Sequence, residues 1–151
     1  MIMYDNVEDF RSSMTRTEDI DMRLVKDGRR PLHFAAQENC LEIATYLIEL
    51  SAGVNTKDDL GRSPLHLAAV HSDPSMAVAL IRAGATLNTI DQNCVSPLHV
   101  AAEMSVPVLS EFLGHSERNL RSCDDNGAEI VHYAARQVDG LVEALEMVLQ
   151  S

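Results

Sequence analysis

Four histidines recur at a fixed spacing and are the first candidates for chemistry in this chain. They follow one another every 33 residues, as His33, His66, His99 and His132. Imidazole nitrogens bind zinc and exchange protons near neutral pH, so a metal site or an acid–base catalyst is conceivable. However, one histidine per structural repeat places neighbours about 10 Å apart, the spacing of packed helices. Zinc–nitrogen bonds of about 2 Å cannot span that gap. The pattern therefore predicts structural histidines and no metal site.

The cysteines and the non-periodic histidines add no reactive pattern. Cys40, Cys94 and Cys123 are an odd number at wide spacing, without a C-x-x-C pair. They predict free thiols in a reducing compartment rather than a disulfide framework or a zinc site. His115 has no cysteine or acid at ligand spacing, and the chain lacks the phosphate-loop, nucleophile-elbow and H-E-x-x-H motifs.

The acidic residues are explained by turns rather than by catalysis. Asp124 stands one repeat after Asp91 and two repeats after Asp58, at the same place in the 33-residue period, and Asp125 extends this turn acid to a pair. Aspartate favours turns because its side chain accepts hydrogen bonds from nearby backbone N–H groups. We therefore expect no enzyme activity and no cofactor.

Composition limits the elements that position these residues. Of 151 residues, 46% are hydrophobic but only 4% are aromatic, and there is no Trp, which favours helix packing over a β-sandwich. The net charge of −11 excludes a bare nucleic-acid binder and makes an anionic membrane a poor partner. The charge is uneven, with a local excess of +3 at residues 23–30 and of −5 at residues 124–151.

The chain also lacks targeting and membrane signals. The N-terminal residues carry acids and no apolar core of a signal peptide. No apolar run approaches the ~20 residues of a membrane span. We therefore expect an intracellular protein, cytoplasmic or nuclear.

The 33-residue period extends well beyond the histidines. Paired alanines recur with it in four phrases, and proline and leucine recur in the first three: RPLHFAA, SPLHLAA, SPLHVAA and EIVHYAA. Agreement at this many positions indicates an internal repeat, which governs the fold. Ser63-Pro64 and Ser96-Pro97 are typical of a helix N-cap followed by proline at the first helical position.

These phrases resemble the T-P-L-H-x-A-A phrase of ankyrin repeats, over residues from about 24 to 151. Gly28, Gly61 and Gly127 match the turn glycine of that family, whereas Cys94 departs from it. The resemblance implies an all-α solenoid of stacked helix-turn-helix units with β-turn or hairpin fingers between them. Asn39 stands at the glycine position between helices and is expected to be left-handed.

We divide the chain into a leader or degenerate capping half-repeat at residues 1–23 and four units at residues 24–151. The units are about 25–57, 58–90, 91–123 and 124–151. Their helix pairs are predicted near 31–38 and 41–51, 64–71 and 74–83, 97–104 and 107–115, and 130–137 and 140–150. Pro74 and Pro107 are predicted to begin second helices.

Apolar side chains define the faces of these helices. Leu41, Ala44, Leu47 and Ile48 are predicted to form one buried stripe, and so are Met76, Leu80 and Ile81. In the leader, Val7, Phe10 and Met14 have helical spacing, which favours a capping helix over a disordered segment. The chain stops as a second helix finishes, so we expect apolar surface there, from Leu141, Leu145, Val148 and Leu149, and a longer parent protein.

A partner is expected on the concave face, which the finger turns and the first helices form in proteins of this family. The family's variable positions map onto a set of residues on this face. We predict as partner-binding Arg29, Gln37, Leu60, Arg62, Val70, His71, Gln92, Val95, Met104 and Arg136. Apolar members cluster in units two and three, inside a polar rim, as in many protein interfaces.

The function expected from the resemblance is protein binding by a monomeric module of a larger scaffold or signalling protein. Two alternatives are a self-contained ankyrin inhibitor of a kinase or a transcription factor, and the cytoplasmic ankyrin domain of a cation channel. Cyclin-dependent kinase inhibitors of this family have a shortened first helix in the second repeat. The full-length phrase SPLHLAAVH here predicts an ordinary helix and disfavours that class.

Overall fold

The computed structural model describes residues 20–23, 26–115, 124–136 and 141–150. Over these residues the regular elements are helices in four consecutive pairs, as the repeat predicts. Their bounds are α1 Pro31–Gln37, α2 Leu41–Glu49, α3 Pro64–Ala68, α4 Ser75–Arg82, α5 Pro97–Met104, α6 Val106–His115, α7 Ile130–Ala134 and α8 Leu141–Gln150.

The first helices begin where predicted, but two of them are shorter. Helix α3 ends at Ala68 and α7 at Ala134, whereas the sequence predicted helices to 71 and 137. The predicted full-length first helix in unit two, for which we disfavoured a kinase inhibitor, is therefore wrong. Because α7 has the same length as α3, the short α3 does not single out unit two either.

The second helices of units two and three begin within one residue of the prediction. Pro74 precedes the first residue of α4 instead of occupying it. Pro107 is the second residue of α6, and the preceding Ser105 accepts a hydrogen bond from the backbone N–H of Val108 at 3.4 Å. Proline is compatible with both places because its missing N–H is not needed before or within the first turn.

The units stack so that equivalent helices meet. Helices α1, α3, α5 and α7 follow one another in a row, while α2 packs on α4 and α6 packs on α8. Leu32, Leu65, Leu98 and Ile130 are buried between the units. The alanine pairs of units one to three are buried too, and their small side chains allow short helices to approach closely.

The apolar stripes are buried with one exception. Ala44 and Leu47 lie in the core and Ile48 packs against it, but Leu41 is 37% exposed, so its predicted burial is wrong. Leu41 is the first residue of α2, whereas Ala44 and Leu47 lie one and two turns further along the helix. In α4 the stripe of Met76, Leu80 and Ile81 is confirmed.

The two ends of the chain differ in how much of them the structure describes. Val7, Phe10 and Met14 lie outside the described residues. Ile20 is buried in the core, and the carboxylate of Asp21 accepts hydrogen bonds from the backbone N–H of Gly53 at 3.1 and 3.2 Å. The leader thus packs on unit one by its last residues.

At the other end, Leu149 and Val142 are exposed while Val148 is buried. The side chains of Leu141 and Leu145 lie outside the described part. No helix among the described residues combines the length and apolarity required for crossing a bilayer.

Candidate functional site

The finger turns of units two, three and four are each built around one aspartate. Asp58, Asp91 and Asp124 use the same carboxylate oxygen, Oδ1, to accept backbone N–H groups two and four residues further on, at 2.8 to 3.0 Å. Their own N–H groups donate to the carbonyl four residues ahead. The predicted turn role of these acids is confirmed.

The fingers are joined to one another by a backbone ladder. The N–H of Asp59 donates to the carbonyl of Asp27 at 2.8 Å, and the N–H of Gln92 donates to that of Leu60 at 2.9 Å. The N–H of Asp125 continues the series to the carbonyl of Asn93 at 3.1 Å. These bonds recur every 33 residues, so equivalent finger positions lie side by side along the face.

The periodic histidines connect the helices to the next finger. Nδ1 of His66 lies 3.0 Å from the backbone N–H of Ser63, and its Nε2 lies 3.1 Å from the carbonyl oxygen of Val95. His33 makes the equivalent contacts, with Arg30 and Arg62. Because a backbone N–H can only donate, Nδ1 accepts and Nε2 carries the proton. For His33 and His66 the predicted structural role is confirmed.

Burial keeps these imidazoles neutral. Desolvation lowers the pKa of His33 and His66 below the ordinary 6.5, and the carbonyl contacts of Nε2 offset this only in part. Among the described residues, no group of three or more histidines, cysteines or acids has a geometry that could hold a metal ion.

Two of the predicted partner-binding arginines share a buried carboxylate. Arg62 binds Oδ2 of Asp58 with Nε and Nη2 at 2.9 and 2.8 Å, and Nε of Arg29 lies 3.9 Å from the same oxygen. Arg29 also contacts Asp27 at 3.1 Å and donates to Gln37 at 2.6 Å. These contacts hold both guanidinium groups in place on the face.

Asp58 is a residue that the sequence analysis assigned only to the turn. Its side chain is fully buried, which by itself raises the pKa. The hydrogen bonds and charge of Arg62, together with the N–H of Leu60, bring the pKa below its ordinary value. The signal in the sequence was the arginine four residues after the aspartate. The second partner, Arg29, is 29 residues away, and no local pattern indicates it.

Three of the four predicted apolar anchors are exposed. Leu60 is 49% exposed at the second finger, and Val70 and Met104 are 42% and 55% exposed near the ends of α3 and α5. Val95 is half-buried and packs against the core, so its side chain already has an internal role. Ile90, which the sequence analysis did not select, is exposed as well.

The remaining polar candidates make contacts between neighbouring units. Nε2 of His71 lies 3.0 Å from the carbonyl oxygen of Ala36, and Nε2 of Gln92 donates to the carbonyl of Asp59 at 2.6 Å. Arg136 is paired with Glu103 at 3.0 Å and lies over the ring of Tyr133. The ten predicted residues therefore lie in the fingers, in the first helices, or within three residues after a first helix ends.

Comparison with known proteins gives a family match. The family model described as ankyrin repeats (3 copies) matches residues 3–91, more than half of the chain. The match includes most of the leader and the first two units. No curated protein matches the chain.

Proposed function

This chain belongs to the ankyrin-repeat family, whose repeats are general protein–protein interaction modules, and we propose that a protein partner docks on the concave face of its units two and three. The observation that carries the proposal is the exposure of Leu60, Val70 and Met104, 42 to 55% each, on adjacent units. Apolar anchors inside a polar rim usually carry most of the energy of an interface.

The surroundings of these anchors support the proposal. Arg62 and Arg29 are held by Asp58, and His71 is held by the Ala36 carbonyl. Side chains ordered before binding lose less entropy when a partner arrives. A polar frame that is held in place around exposed apolar side chains therefore favours recognition of a protein surface.

The wider setting is part of the same proposal. We assign the chain no catalytic role and place it in a reducing intracellular compartment, as a module of a scaffold or signalling protein. The free thiols of Cys40 and Cys94 agree with such a compartment.

The test is the double substitution Val70→Glu plus Met104→Glu. We expect it to weaken partner binding by about 2 kcal/mol or more, the level of an interface hot spot. The fold should survive because both side chains are exposed, and an acidic residue at the C-terminal end of a helix costs only about 0.3–1 kcal/mol. Calorimetry measures the affinity and circular dichroism checks the fold.

A matched control is Leu41→Glu plus Leu149→Glu. These residues are also exposed and apolar, but they lie on the second helices α2 and α8. The control makes the same change in charge and should leave affinity unchanged. Equal binding by both double variants and the unmodified protein would place the partner elsewhere.

A further inference from the structure

The formal charge of the finger turns changes steadily along the solenoid. The same eight positions of the repeat are residues 23–30, 56–63, 89–96 and 122–129 in successive units. Their formal charges are +3, 0, −1 and −3. The first segment has four basic residues against Asp27, and the last has three acids and no base.

The structure converts this sequence trend into a gradient in space. The backbone ladder from Asp27 through Leu60 to Asn93 and Asp125 keeps the fingers in register and in chain order. With a step of about 10 Å per unit, the outer fingers stand about 30 Å apart. That distance exceeds the Debye length of about 8 Å at physiological salt. The charges of each outer finger therefore interact mainly with partner charges that lie next to that finger.

Internal ion pairs reduce the gradient but do not remove it. Arg23 pairs with Asp59, which joins the first two fingers. Arg29 lies 3.1 Å from Asp27 and 3.9 Å from Asp58, and Arg30 lies 3.7 Å from Asp21. These pairs offset three of the four basic side chains of the first finger. Lys26 at one end and Asp125 at the other have exposed side chains. The exposed apolar residues of the concave face lie between these two ends.

From this arrangement we propose that the concave face binds a charge-segmented peptide in one orientation. Acidic residues of the peptide lie on the finger of unit one, apolar residues lie on units two and three, and basic residues lie on the finger of unit four. About ten extended residues cover the distance. The inference rests on the proposed binding face and adds the chemistry of the partner to it.

The probes are synthetic peptides of about ten residues. The first has a block of glutamates, a centre of leucine and serine, and a block of lysines. The second has the same composition with its charges interleaved. We expect the unmodified protein to bind the segmented peptide about fivefold more tightly, and expect the preference to vanish in about 1 M NaCl.

Charge reversals at the two ends test the orientation. Lys26→Glu should weaken the binding of the segmented peptide about threefold. It should not change the affinity for a version of this peptide in which the glutamates are replaced by glutamine. Asp125→Lys should likewise weaken binding only for peptides that retain their lysines. Glu49→Lys, an exposed charge reversal on α2, is the matched control and should change neither affinity. Fluorescence anisotropy gives the affinities, and circular dichroism checks each fold.

The outcomes separate this inference from the proposed function. Equal affinity for the two peptides, no binding of the segmented peptide, or end variants that act on every peptide alike would overturn the charge-segmented partner. The proposed face would still stand if Val70→Glu plus Met104→Glu weakened binding of either peptide. Both proposals would be rejected if Lys26→Glu and Asp125→Lys had no effect on affinity and Val70→Glu plus Met104→Glu also left affinity unchanged.

Discussion

Replacing Cys94 with glycine should stabilise this protein, although the change removes a side chain. Cys94 has φ +58°, in the left-handed region, whereas the equivalent positions are Gly28, Gly61 and Gly127 with φ between +75° and +79°. A side chain in that region costs about 1–2 kcal/mol. Glycine offsets about 0.5–1 kcal/mol of this gain, because it makes the unfolded chain more flexible and so increases the entropy lost on folding.

The net gain for Cys94→Gly is therefore about 0.5–1 kcal/mol, or about 1–4 °C in Tm for a chain of this size. Thermal and urea unfolding, followed by circular dichroism with a reductant present, measure it. The control Cys94→Ala removes the thiol and its hydrogen bond to Asp125 but keeps the Cβ atom. It should give no gain.

Replacing the equivalent glycine of the preceding finger, Gly61, should lower the stability of the protein. A Cβ atom at Gly61 would lie 3.1 Å from the backbone of Asp91 and Gln92, in addition to the left-handed strain. Gly61→Ala is expected to destabilise the protein by about 1–2 kcal/mol or more. The reasoning is refuted if Cys94→Gly melts no higher than the unmodified protein, or if Cys94→Ala gains as much.

Three further predictions concern the core and the histidines. Leu65→Ala or Leu98→Ala should each cost about 2–5 kcal/mol, because both side chains are buried between units, and an unchanged melting curve would contradict the core assignment. The folded pKa of His33 and His66 lies below 6.5, so the unfolded chain takes up protons first; stability should be constant above pH 6.5 and fall below it. Urea midpoints compared above and below that pH test this, and a flat profile would be inconsistent with neutral buried imidazoles. EDTA should leave Tm unchanged if no metal supports the fold, and a lower Tm on chelation would overturn the structural role of the histidines.

The sequence predicted most of the fold because the repeated residues are those that helix starts and turns require of the local backbone. Proline at the start of α1, α3 and α5 depends only on the backbone of one helical turn. Asn39 was predicted to be left-handed from its place between two helices, and its φ is +54°. The spacing of the histidines predicted a structural role for them before any contact was known.

The binding candidates were placed on their face by the same period, but their environments were not predictable. The 33-residue register shows which residues are equivalent, and stacking then puts them side by side. It does not show that Val95 is half-buried or that Leu41 is exposed. These properties depend on how closely the next unit approaches, which involves residues more than 30 positions away.

The sequence alone therefore determined the repeat, its helices and the absence of a recognisable catalytic pattern. Arg29 and Asp58 are 29 positions apart in the chain, and only the tertiary structure brings Nε of Arg29 to 3.9 Å from Oδ2 of Asp58. It also turned the charges of four separate fingers into a gradient along one face. The reason is physical: turn and helix preferences act over a few neighbouring residues, whereas ion pairs and exposure depend on distances between atoms that packing alone brings together.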